Sequence, residues 1–142
     1  MYSSPYYAKS WKISTSIDRH QTSFNFTIVM FFDGLCEPRN PGGVATYGFV
    51  LYKDNVYLHS EYGLAAEPWG DNATNNVAEY TGMLKGLEWI VDKNLKEDLE
   101  VFGDSQLVIQ QMNGKYKLRA AKLRPLHSRA KELSSQFTSI TF

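Results

Sequence analysis

The sequence predicts an α/β fold: a mixed sheet of five strands, the first three antiparallel, flanked by helices. Three observations carry that expectation. Apolar residues run unbroken from Ile28 to Phe32, as in a strand buried on both faces. Two further strand-like stretches, ATYGFVLY and VYLHSEYGL, follow with turn signals before and between them. Past residue 79 the apolar spacing changes to the helical period, and helix, strand, helix, helix, strand succeed one another.

Taken in order, residues 1–23 have no clean period and read as an irregular arm ahead of a domain over 24–142. Tyr2, Tyr6, Tyr7 and Trp11 beside Lys9 and Lys12 have the chemistry to stack on bases, although packing onto the domain is the commoner use of such residues. The first strand is expected over 24–32. The Asn40–Gly43 turn leads into the second, and Lys53-Asp54-Asn55 suits a hairpin into the third. EPWGDNATNN is a polar loop with breakers. In the helix after it, Tyr80, Met83, Leu84, Leu87, Ile90 and Val91 form one buried stripe. Leu99–Phe102 makes a short strand ended by Gly103-Asp104. Ser105–Met112 is a short helix stopped by Asn113-Gly114. Pro125 suits the first turn of a helix running to about Gln136, with Leu126, Ala130, Leu133 and Phe137 on one side. TSITF opens a fifth strand.

An apolar content of 43% with 14% aromatic residues excludes a disordered tail. The single cysteine, Cys36, allows neither an internal disulfide nor a zinc cluster, so a reducing, cytoplasmic setting is expected. No apolar run approaches the roughly 20 residues of a membrane span, and the N-terminus lacks the apolar core of a secretory signal. Formal net charge is zero, but its distribution is uneven. Lys53 to Asp104 holds eleven acids and four bases, whereas Ser105 to Phe142 holds seven bases and one acid. One half can hold cations and the other phosphates.

Three acids stand at special places. Asp33 is expected to end the first strand, Asp104 the fourth, and Glu79 to sit in the first turn of the long helix. Each has an ordinary explanation on its own: a strand exit at Asp33-Gly34, an N-cap at Asp104-Ser105, and a capping box from Asn76 to Glu79. Their joint placement is harder to explain that way. Converging carboxylates repel, so they raise one another's pKa or bind cations, and an all-oxygen set favours Mg²⁺ or Mn²⁺.

FDGLCEPRNPGG, TNNVAEYTGMLKGLEWI and VFGDSQLVIQQMNGKYK, in this order, resemble the leading motifs of type 1 ribonuclease H, in its archaeal and bacterial branch. The resemblance covers about 24–142. It implies the ribonuclease H-like fold and metal-dependent hydrolysis of the RNA strand of RNA–DNA hybrids to 5′-phosphate and 3′-hydroxyl products. It also implies that Asp33, Glu79 and Asp104 are catalytic, metal-binding carboxylates holding two ions about 4 Å apart. Cys36, Asn40, Asn75, Asn76 and Gln106 match minor-groove contacts, for which short amides suit 2′-hydroxyls and base edges. Lys115, Lys117, Arg119, Lys122 and Arg124 are placed to meet phosphates of the DNA strand.

The match breaks at the end. The family carries a fourth acid on a helix after the fifth strand and often a histidine before it, and the sequence given stops at Phe142. His127 falls within the preceding helix, and His20 and His59 lie outside the motifs. The expectation is therefore a domain truncated at its C-terminus, monomeric unless uncovered core drives association. A weakly active or inactive hybrid-binding domain, and a nuclease also acting on double-stranded RNA, are the alternatives. The TNN-x-A-E block argues against strand transfer.

Overall fold

The computed structural model describes residues 26–142; the arm expected over 1–23 and the expected start of the first strand at Phe24 lie outside the described residues. β1 (Thr27–Glu37) occupies the centre of a five-stranded sheet. On one side it pairs antiparallel with β2 (Val44–Lys53), which pairs antiparallel with β3 (Val56–Leu64). On the other it runs parallel to β4 (Asp98–Gly103), and β4 runs parallel to the short β5 (Ser139–Thr141). The order is thus β3-β2-β1-β4-β5. Three α-helices, α1 (Asn75–Asp92), α2 (Gln106–Met112) and α3 (Arg124–Ser134), and a short 3-10 helix at Ala121–Leu123 complete the described chain. The β2–β3 hairpin turns on Asp54 and Asn55, both left-handed (φ 50° and 68°), the backbone that matches the twist of the flanking strands.

The apolar run of β1 is buried on both faces, as its composition predicts. Ile28, Met30 and Phe32 join Phe49 and Leu51 of β2 beneath Tyr80, Met83, Leu87 and Ile90 of α1, and α3 adds Ala130 and Leu133. Val29 and Phe31 point the other way and cluster with Val50, and Phe31 stacks on Phe102 with ring centroids 5.5 Å apart.

The expected end of the first strand is corrected. β1 does not stop at Asp33 but runs on to Glu37. Its ladder with β4 ends at Phe32↔Gly103, while the ladder with β2 continues to Glu37↔Val44. β1 therefore outruns β4, and Asp33 is the first residue of the overhang. Gly103 is small for a packing reason: a Cβ there would stand 2.3 Å from the Phe32 ring. A stripe of small residues, Ala78, Gly82 and Gly86, brings α1 down onto the sheet. A Cβ on Gly82 would meet the carbonyl oxygens of Gly48 and Asp33 at 2.8 and 2.9 Å.

Candidate active site

Asp33 and Asp104 each follow one member of the last β1–β4 rung, Phe32↔Gly103. They stand at one level on neighbouring parallel strands, Asp33 within β1 and Asp104 just past β4, and such strands lie about 4.8 Å apart. Glu79 reaches the same end from α1. It is not in the first turn, which contains no acid, and the capping-box reading fails. The N-cap is Thr74, whose hydroxyl accepts the Val77 N–H at 3.0 Å, so neither Asn75 nor Asn76 caps the helix. Glu79 is thereby released from any capping duty.

Electrostatics tie the three acids together. Burial pushes the Glu79 carboxyl up to about 7, the negative charges of Asp33 and Asp104 push in the same direction, and a hydrogen bond from Ser105 opposes them. Ser105 is the N-cap of α2, its oxygen also accepting the Val108 N–H at 3.2 Å. One Asp33 carboxylate oxygen accepts the Gly34 N–H at 2.8 Å. As placed, the side chains do not close on one point: among the described residues, no three His, Cys, Asp or Glu are arranged to grip an ion. What the site offers is an all-oxygen donor set under mutual repulsion, the kind of site that hard divalent cations relieve.

Asn40, Asn75 and Cys36, distant in sequence, form one network. Cys36 donates its backbone N–H to Asn75 Oδ1 at 2.7 Å, and Asn75 donates its own to Asn40 Oδ1 at 3.1 Å. The Cys36 thiol is buried 3.1 Å from the carbonyls of Arg39 and Ala73. Gly42 N–H to the Ala73 carbonyl (2.8 Å) ties the two loops together. Both amide oxygens are spent inside the protein, which leaves each Asn an N–H₂ group as donor. Asn76 and Gln106 are exposed, the latter accepting from Gln110 at 3.3 Å.

Lys115, Lys117, Arg119 and Lys122 are exposed along the segment between α2 and α3, and the exposed Arg124 opens α3. Lys122 differs from the rest: its ammonium donates to the Asp71 carbonyl in the loop before α1. Underneath, the buried Tyr80 hydroxyl donates to Gln111 Oε1 at 2.6 Å, and Gln111 donates to the Lys117 carbonyl at 3.3 Å. His127 lies in α3 and His59 stacks on Trp89, so neither joins the carboxylates. Ser105 is the N-cap expected at Asp104-Ser105; sequence reasoning missed its bond to Glu79, the Thr74 cap and the Ala78-Gly82-Gly86 stripe. Only the stripe left a periodic signal, small residues every fourth position.

A family model described as reverse transcriptase-like matches residues 32–142. The RNase H1 structure from the halophilic archaeon Halobacterium salinarum superposes with a TM-score of 0.70 at 30% identity, covering 81% of this chain and 82% of that one. The chain belongs to the type 1 ribonuclease H family. A second family member, the N-terminal RNase H domain of a Mycobacterium tuberculosis protein, superposes with a TM-score of 0.73 at 33% identity over 83% of this chain and 81% of that one. The LC11 ribonuclease H1 of this family, solved in complex with an RNA/DNA hybrid, gives 0.66 at 28% identity over 81% of this chain and 82% of that one. In sequence, the chain is 38% identical over 103 residues to the M. tuberculosis bifunctional protein, spanning 72% of this chain and 27% of that protein's length. Against the Halobacterium ribonuclease HI it is 38% identical over 110 residues, 75% of this chain and 50% of the other.

Proposed function

We propose that the chain is an endoribonuclease that hydrolyses the RNA strand of RNA–DNA hybrids, leaving 5′-phosphate and 3′-hydroxyl ends. The observation that carries this reading is the electrostatic proximity of Asp33 in β1, Glu79 in the second turn of α1 and Asp104 just after β4, in a member of a family of hybrid-cutting enzymes. A relative bound to an RNA/DNA hybrid supports the choice of substrate.

The three carboxylates would hold Mg²⁺ or Mn²⁺. When bound, such ions lower the pKa of water and neutralise charge on the phosphate. The chain's own residues do the rest. Ser105 donates to Glu79 and favours its ionised form, the form that binds a cation. The free N–H₂ groups of Asn40 and Asn75, with Asn76 and Gln106, donate to 2′-hydroxyls and base edges in the shallow minor groove, which tells RNA from DNA. Lys115, Lys117 and Arg119 take the phosphates of the other strand.

The test is cleavage of an end-labelled hybrid in Mg²⁺ and in Mn²⁺, with EDTA and Asp33→Asn as controls. Cutting of the RNA strand alone, lost in both controls, is expected. Undiminished cutting by Asp33→Asn sinks the proposal. Binding in Ca²⁺ without cutting in either active metal would reduce the chain to a hybrid-binding domain.

A further inference from the structure

The sheet face turned away from α1 carries an apolar patch of its own. Val29, Phe31 and Val50 cluster there, each no more than 4% exposed, with the partly buried Tyr52 against them. Phe31 stacks on Phe102 at 5.5 Å and meets Tyr52 edge-on at 6.0 Å, and Tyr52 meets Tyr57 in the same way at 6.3 Å. Thr27↔Asp98, Val29↔Glu100 and Phe31↔Phe102 are rungs of one ladder, so Asp98 and Glu100 flank the patch on the same face. α1, α2 and α3 all pack on the other face, where Tyr80, Val108 and Leu133 join one core. Among the described residues no helix covers the patch. An apolar sheet face is stable only against a second layer, so burial this deep requires a cover.

We propose that residues 1–25, the segment that leads into β1 and lies outside the described residues, fold back over this patch and supply the second layer. Composition favours this occupant. The segment carries Tyr2, Tyr6, Tyr7, Trp11 and Phe24, and the rim of the patch offers Phe102 and Tyr57, which stay 39% and 58% exposed. Charge favours it as well: Lys9, Lys12 and Arg19 outnumber the single acid Asp18, and the patch is flanked by Asp98 and Glu100. The tether decides against a second copy. The segment joins the sheet at Thr27, two residues before Val29, and Phe31 lies about 13 Å along the strand from Thr27. Fewer than half of its residues, extended, span that distance. A covalently attached segment is present at millimolar effective concentration, so it fills the patch ahead of a second chain at ordinary protein concentrations. β1 carries Asp33 and β4 ends just before Asp104, so a cover lying across both strands would hold together the pair on which these carboxylates stand. The proposal does not depend on the reaction catalysed.

The experiment uses the full chain with the photo-crosslinker p-benzoylphenylalanine in place of Tyr57 or Phe102 at the rim, and in place of the exposed Lys85 on α1 as a control. Mixing unlabelled and isotope-labelled chains separates links within one chain from links between two. Links from both rim positions into residues 1–25 of the same chain, with far fewer from the Lys85 position, are expected. No link into residues 1–25, or as many from the control, overturns the proposal. Links mainly between two chains would show that a second copy covers the patch, which also overturns it. A second measurement is independent of the probe. Tyr2→Ser, Tyr6→Ser, Tyr7→Ser, Trp11→Ser and Phe24→Ser together should lower the urea midpoint and raise binding of the dye ANS several-fold, because the patch then stands open. A midpoint and dye binding equal to those of wild type overturn the proposal.

Discussion

Gly34 of β1 and Glu79 of α1 meet backbone to backbone: a Cβ built on Gly34 would stand 2.3 Å from the Glu79 amide nitrogen and 2.4 Å from the Ala78 carbonyl carbon. Asp33 and Glu79 owe their proximity to that contact. Gly34→Ala therefore has no flexible neighbour to displace and must push helix from strand. We expect a loss of roughly 2–3 kcal/mol, as for other overpacked sites, together with loss of hybrid cleavage. Gly86→Ala is the control, because its Cβ would meet the flexible end of Met30, Sδ at 2.7 Å and Cε at 2.8 Å. Urea denaturation of both variants should separate them clearly, and equal midpoints would refute the contact's importance.

Protonation of Glu79 should show in metal-free stability. Its folded pKa of about 7 exceeds the ordinary 4.5, so the folded state holds the proton more tightly. The associated stabilisation is complete below about pH 4.5 and is lost as pH rises through about 7. In EDTA, wild type should lose on the order of 1 kcal/mol relative to Glu79→Gln between about pH 5 and pH 8, a modest figure because solvent screens the partly exposed carboxyl. Urea midpoints across that range check it. Adding Mg²⁺ at about pH 8 should raise the wild-type midpoint in proportion to log concentration once the site saturates, and Glu79→Gln should respond less.

The Cys36 N–H to Asn75 Oδ1 bond of 2.7 Å gives an asparagine expected to touch substrate a second, structural task. Asn75→Ala removes the acceptor of a part-buried backbone donor and should cost about 1–2 kcal/mol. Asn75→Asp retains an acceptor and loses the outward N–H₂. It should recover most of the stability while its hybrid binding in Ca²⁺ stays weak. Parallel loss of stability and binding in both variants would contradict this division.

Of the basic residues before α3, Lys117 is exposed and Lys122 is tied to the Asp71 carbonyl. Lys117→Ala should therefore weaken hybrid binding uniformly across sequences and lower the magnitude of the log K against log salt slope by about 1. Lys122→Ala should change that slope less. Fluorescence titrations at several salt concentrations provide the measurement, and equal slopes in wild type and Lys117→Ala would remove Lys117 from the phosphate contacts.

Elements with a strong local signal were legible in the sequence. β3 matches VYLHSEYGL residue for residue, the Asp54-Asn55 turn lies where its chemistry asks, and the Tyr80-to-Ile90 stripe faces the core. The misreadings occurred where a distant partner decides. Asp33-Gly34 has the composition of a strand exit, yet Gly34 is required by α1, which lies more than forty positions along the chain. Thr74, two residues before the cap expected at Asn76, takes the capping role because its hydroxyl reaches Val77. The candidate acids could be picked out because two follow apolar stretches and the third lies close to the start of an amphipathic helix. The Asn40–Asn75–Cys36 network could not, since nothing local shows which loop will lie against which.

The overhang of β1 past β4 makes the carboxylate site a property of strand lengths rather than of loop shape. Its floor is held by the ladder to β2 on one side and by α1 above, so the loops around it can vary without relocating the acids. A redesign that changes substrate preference should therefore graft new Asn40–Gly43 or Asn113–Ala120 segments and leave the lengths of β1 and β4 alone. Two residues added to β4 would instead extend the rungs across Asp33 and fill the notch, closing the site while leaving a well-formed sheet.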